Sequence, residues 1–266
     1  MARKNLLKGF KKPKGITFEH SSVGTDYGKF VAYPFERGFG TTIGNTLRRV
    51  LLSSIQGYAI SAVKFTSYDT EGNPHLISSE FEALPEVVED TSDIISRLKK
   101  LKFRMPDDVE SKTLLIECRG ERTVTGSDFA RDNIEVINED LVIFTMMKNA
   151  NIDMEVQIDL NRGYVPAEVN EKYIDEIGII PIDAVFSPIT RVKYAIENTR
   201  VGQRNDYDKL ILEVYTDGTI APENALAEAA KIAKDHFTIF INFDESIISS
   251  NDEIDEEEEN VKKILN

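Results

Sequence analysis

Three glycines, Gly38, Gly40 and Gly44, stand at the head of an apolar run through Ile43, Leu47, Val50, Leu51 and Leu52. A glycine-rich turn feeding a helix can hold a phosphate, because the free N–H groups of the helix N-terminus converge on one anion. The spacing here is G-x-G-x-x-x-G. That is neither the dinucleotide pattern G-x-G-x-x-G nor a P-loop, which ends in Gly-Lys-Ser/Thr. The plainer use of these glycines is a sharp strand-to-helix turn with close backbone packing. A second candidate is Asp206-Tyr207-Asp208. Two carboxylates in a loop with no third ligand nearby more often solvate or cap than hold a cation. His20, His75 and His236 lie far apart, and Cys118 is the single cysteine. This excludes an intramolecular disulfide framework and a cysteine-clustered zinc site, and it fits a reducing cytoplasm. The sequence carries no nucleophile motif and no dense aspartate cluster for a two-metal centre. No catalytic, metal-binding or cofactor-binding residue is therefore assigned.

The elements around these residues are more informative. At about 100° per residue, Ile43, Leu47, Val50 and Ser54 share one helix face, flanked by Leu51. Asn45, Arg48, Arg49 and Leu52 fall on the other side. A leucine set between arginines on an outer face suits a second packing partner with a charged rim. Before this helix, Ile16–Phe35 reads as a hairpin with a turn at Gly24–Gly28. After it, Ala59–Tyr68 reads as a strand, Glu80–Lys102 as a helical segment and Thr113–Cys118 as a strand. Apolar clusters follow over Ile134–Met147, with a turn at Asn138-Glu139-Asp140. Met154–Leu160 alternates as a half-buried strand, as do Val192–Glu197 and Leu210–Tyr215. Pro222 opens a last helix at a position proline tolerates. On it, Leu226, Ala229, Ala230, Ala233, Phe237 and Phe240 lie on one arc. Ala225, Ile232, His236 and Ile239 widen that arc beyond what one core needs, so a second copy of the same helix is a candidate partner.

The balance of 32 Lys+Arg against 46 Asp+Glu leaves a net charge of −14 over 266 residues. Such a chain has no global footprint for nucleic acid or an anionic membrane, which disfavours a free nucleic-acid-binding protein. No apolar run approaches the roughly 20 residues needed to span a bilayer. Residues 1–15 form a basic arm, and 244–266 an acidic linker or tail.

The stretch Glu36-Arg37-Gly38-Phe39-Gly40, Gly44-Asn45, Leu47-Arg48-Arg49 and Leu51-Leu52-Ser53-Ser54 resembles the N-terminal region of bacterial RNA polymerase alpha subunits. Thr41 departs from the pattern, since many members carry histidine there. The likeness weakens over Thr66–Phe81. It returns at Asp140-Leu141-Val142-Ile143 and Arg162-Gly163-Tyr164-Val165-Pro166-Ala167. It continues through Pro181-Ile182-Asp183-Ala184, Phe186-Ser187-Pro188, Thr199–Arg204 and Asp206–Leu210.

The resemblance implies an α+β fold in which a discontinuous dimerisation domain, an antiparallel sheet with two helices over residues 16–56 and 179–243, carries an inserted mixed α+β domain over 57–178. It implies a homodimer built on the two long helices through Ile43, Leu47, Val50, Leu226, Ala229, Ala230, Ala233, Phe237 and Phe240. It also implies a scaffold for the beta and beta' subunits. Arg48, Arg49 and Leu52 are the expected contacts with one large subunit, and Lys99 and Ile182 with the other. Family members normally continue past such a linker into a DNA-binding module, and this sequence ends before one, so DNA contact is expected only through the assembled polymerase or through that missing module. The rival reading is a soluble enzyme holding a phosphate ligand at the Gly38–Gly44 turn.

Overall fold

Apolar alternation in the first two strands pairs them as the expected hairpin. Phe18 lies opposite Phe30, and their rings stack with centroids 4.7 Å apart. The computed structural model describes residues 11–13, 15–20, 26–106, 108–171, 177–202 and 204–240. Most of the basic arm and all of the acidic tail lie outside these described residues. In chain order the elements begin β1 (Ile16–His20), β2 (Tyr27–Phe35), α1 (Phe39–Ser54), β3 (Gln56–Tyr68), β4 (Pro74–Ile77), α2 (Thr91–Leu98) and β5 (Phe103–Arg104). Then come β6 (Ser111–Arg119), β7 (Arg122–Thr125), β8 (Glu135–Val136), β9 (Val142–Met146), β10 (Asn151–Arg162), β11 (Tyr164–Val165) and α3 (Ala167–Glu171). The chain closes with β12 (Ile179–Pro181), β13 (Ala184–Val185), β14 (Ile189–Val201), β15 (Arg204–Thr216) and α4 (Pro222–Thr238).

Two sheets organise the molecule. The smaller has the order β1-β2-β15-β14, with α1 and α4 packed on one face. Phe30, Leu51, Ile55, Val192, Leu212 and Val214 fill the space between helices and strands, with Ala225, Leu226 and Ala229 from α4. The larger sheet runs β6-β10-β3-β5-β8, and β4 and β12 also pair with β3. The inward residues of β10, Ile152, Met154, Val156 and Ile158, sit in its core, while Asp153, Glu155 and Gln157 are only partly covered. Every strand pairing among the described residues is antiparallel.

Two expectations need correction. The helix expected over Glu80–Lys102 is confined to Thr91–Leu98. Pro85 lacks the N–H a helix interior needs, and Glu86 takes φ 59°. Val87 instead bridges to Met146, and the Val88 N–H donates to the Thr145 carbonyl at 3.1 Å. Glu89 then accepts the Thr145 N–H at 2.7 Å and pairs with Arg97 at 2.9 Å. Secondly, the return to the smaller sheet comes later than residue 179. β12 pairs with β3, and Ile180 and Ile182 lie in the larger core, so the chain rejoins the smaller sheet only at Ile189.

Candidate assembly surfaces

The glycine turn is the junction on which α1 is set. Gly38 takes φ 88°, a left-handed conformation that favours glycine. The N–H groups of Gly38 and Gly40 both donate to Asp208 Oδ2, at 2.8 and 3.2 Å. Asp208 is only 6% exposed. The anion position at this helix N-terminus is thus taken by the chain's own carboxylate, which caps the helix and complements its dipole. This overturns the phosphate-cradle reading of the turn and assigns Asp208 the capping role. Its neighbours serve locally. Arg204 forks onto Asp206 at 2.8 and 3.0 Å and lies 4.9 Å over the Tyr207 ring. That hydrogen-bonded guanidinium holds the Asp206 carboxyl below its usual range.

Helix α1 is rotated relative to the face its hydrophobic residues suggest. Its buried positions are Gly40, Gly44 and Leu51. A Cβ on Gly40 would lie 2.9 Å from Asp208 Cβ, and one on Gly44 would lie 2.9 Å from Leu210 and Tyr194 side-chain atoms. The glycines therefore let the helix backbone settle directly on β14 and β15. Ile43, Leu47 and Val50, expected to point inward, are displaced to the flank and are only partly covered. A glycine-centred face carries no hydrophobic signal, so periodicity alone misplaces it.

The displaced flank borders an apolar groove of about 520 Å³. Phe35, Phe39, Ile43 and Leu47 line it, with Leu210 and Leu226. Phe39 is 45% exposed. Phe35 ends β2 and Phe39 starts α1 between Gly38 and Gly40, and the sequence reading names neither as an interface residue. The helix α4 divides along its length. Leu226 and Ala229 are buried in the chain's own core, and of the two only Leu226 also borders the groove. Ala230 is exposed and Ala233 half-buried; beyond them Phe237 is 54% and Phe240 70% exposed. Helix α4 ends at Thr238, so Phe240, expected on it, follows it, and the open apolar end comprises Phe237 with Ile239 and Phe240.

Elsewhere on α1, Arg49 is exposed. Arg48 donates from Nε to the Val192 carbonyl at 3.3 Å, and Leu52 is half-buried against the smaller core. Both therefore have structural work beside any contact role. Lys99 follows α2, is exposed and pairs with Asp183. Ile182 is 1% exposed and packs in the larger core. A side chain held there cannot meet a partner, so Ile182 is corrected to a core residue. Among the described residues no group of three or more potential metal-ligating side chains gathers, and no helix is long and apolar enough to cross a membrane.

Residues 33–237 match the family described as the RNA polymerase Rpb3/Rpb11 dimerisation domain. That match and the mixed, mostly antiparallel architecture define the class of the chain. Among its relatives, the DNA-directed RNA polymerase subunit alpha of Treponema pallidum (strain Nichols) is 54% identical over 267 residues, covering 100% of this chain and 76% of that protein. The same subunit of Leptospira biflexa serovar Patoc is 50% identical, covering 93% of this chain and 74% of its own. That of Borreliella afzelii (strain PKo) is 44% identical, covering 98% and 76%. The chain belongs to the family of bacterial DNA-directed RNA polymerase alpha subunits and spans about three quarters of the length of these relatives.

Proposed function

We propose that this chain is a non-catalytic scaffold of the polymerase. Two copies dimerise, and the dimer recruits the beta and beta' subunits that carry the chemistry. It works in the cytoplasm, and these residues meet DNA through the assembled enzyme. The observation that carries the dimer is the apolar surface left open in two places, the groove at Phe35, Ile43 and Leu47 and the exposed rings of Phe237 and Phe240. Large exposed apolar surface on a soluble chain marks a site of protein contact. A two-fold partner supplies the same aromatic residues to the same groove, which makes the contact self-complementary.

The chain divides, on this reading, into a dimerisation half built on the smaller sheet and an inserted half built on the larger one. The separate apolar cores of the two sheets support that division. In a symmetric dimer each copy presents the same faces, so beta and beta' each engage one copy of a given patch. Arg49, with the flanking Arg48 and Leu52, is the proposed contact with one large subunit, and Lys99 with the other. Light scattering on the purified chain tests the dimer: a mass of twice the chain is expected, and a monomer at micromolar concentration defeats it. Affinity capture with added beta and beta' tests the scaffold separately.

A further inference from the structure

The two sheets are joined covalently at two neighbouring places. α1 runs into β3 at Ile55–Gln56, and the chain returns between Phe186 and Ile189. These crossings touch. A Cβ on Gly57 would lie 2.1 Å from the Phe186 carbonyl oxygen, so only glycine fits there. Two crossings so close together form a hinge line and, on their own, leave one sheet free to turn against the other.

A third connection is not covalent. It lies at a cleft of about 390 Å³ between the sheets, lined by Tyr58, Phe103, Met105, Leu160 and Ile220. At the end of β5, Arg104 donates from Nη2 to the Gly218 carbonyl at 2.5 Å and from Nε to the Thr219 carbonyl at 3.0 Å. Its Nη1 is held by Glu135 at 3.0 Å, which fixes the plane of the fork. Lys102 Nζ lies 3.5 Å from Asp217 Oδ2, a carboxylate whose side chain is 9% exposed. The loop they hold is itself ordered. Asp217 Oδ1 accepts the Thr219 N–H at 3.1 Å and its hydroxyl at 2.6 Å, and the Asp217 N–H donates to the Pro188 carbonyl at 2.9 Å. Gly218 takes φ 90°, and a Cβ built on it would lie 3.1 Å from the side chain of Ile137, the residue after β8. Three residues after Thr219, Pro222 opens α4.

We propose that Lys102 and Arg104 form a clasp on the Asp217–Thr219 loop that sets the angle between the larger sheet and helix α4. A guanidinium fork onto two carbonyls suits this task, because it fixes direction as well as distance. A large subunit seated on the larger sheet would then act on the start of the dimer helix through this loop. That consequence rests on the scaffold reading; the clasp does not, and its test needs no partner.

The test is hydrogen–deuterium exchange on the whole chain with Arg104→Ala and, separately, Arg104→Lys. Arg104→Ala is expected to speed exchange over residues 216–224 about tenfold, the scale of a lost charge-assisted pair of hydrogen bonds, while the centres of β10 and β15 stay protected. Arg104→Lys keeps the charge but cannot fork, and is expected to show the same local rise. Exchange over 216–224 within twofold of the parent in Arg104→Ala overturns the clasp. So does an equal rise across β10 and β15, which marks general destabilisation, or full protection in Arg104→Lys, which removes the fork from the explanation.

Discussion

At the scale of single residues, Asp208 and Cys118 carry the clearest expectations. Asp208 accepts two backbone N–H groups at the head of α1 from a nearly buried position. Asp208→Ala leaves those donors unpaired and is expected to lower stability by roughly 2 kcal/mol, read from urea unfolding. Cys118 is fully buried in the larger core, and burial pushes its thiol up to about 11. A thiol whose pKa is raised on folding stabilises the fold while it stays protonated. That contribution is present below the unfolded value and is lost as pH rises through the folded one, so the alkaline limb of stability between about pH 9 and 11 should flatten in Cys118→Ala. The same protonated, covered thiol should react slowly with a disulfide reagent at neutral pH in the native chain and rapidly in urea. The sequence placed Asp208 among groups that cap or solvate. Which helix it caps could not be read, because 168 residues separate it from Gly40.

At the scale of elements, α1 and α4 each divide between a part buried in the chain's own core and a part left open. Gly40 sits on the sheet-facing side of α1, where Gly40→Val should push the helix off β15 at a cost of about 1–3 kcal/mol, measured by thermal or urea unfolding. Phe237 sits on the open end of α4. Phe237→Asp is expected to give a monomer by light scattering with the fold kept, since the ring is exposed in the single chain; a persistent dimer would place the contact elsewhere. On the outer side of α1, Arg49→Glu should abolish capture of the large subunit while leaving the mass of the dimer and its melting midpoint unchanged. Arg49 is the better probe there than Leu52, whose half-burial mixes stability into the result. Helical periodicity located both helices well. It misjudged the buried face of α1 because the residues that approach the sheet most closely are glycines. It also overextended α2, where Pro85 and the bridge from Val87 to Met146 override helical spacing.

At the scale of the whole molecule, two antiparallel sheets with separate cores meet along a hinge at Gly57 and Phe186 and a clasp at Arg104. The sequence by itself determined the fold class, the alternating strands β3, β6, β10, β14 and β15, the hairpin at the start and the long last helix. Those are local patterns, set by side-chain alternation and by where glycine and proline interrupt it. Its motifs also pointed to the polymerase alpha family, which the comparisons bear out. The tertiary structure alone decided which apolar residues are spent inside the chain and which stay open. Ile182, Leu226 and Ala229 went to the interior, while Phe35, Phe39, Phe237 and Phe240 remained available. It also decided that the anion at the glycine turn is Asp208. The physical reason is the same in each case. Burial and hydrogen-bond partnership depend on elements distant in sequence, and an apolar side chain or a carboxylate reads alike in sequence whether its partner comes from its own chain or from another.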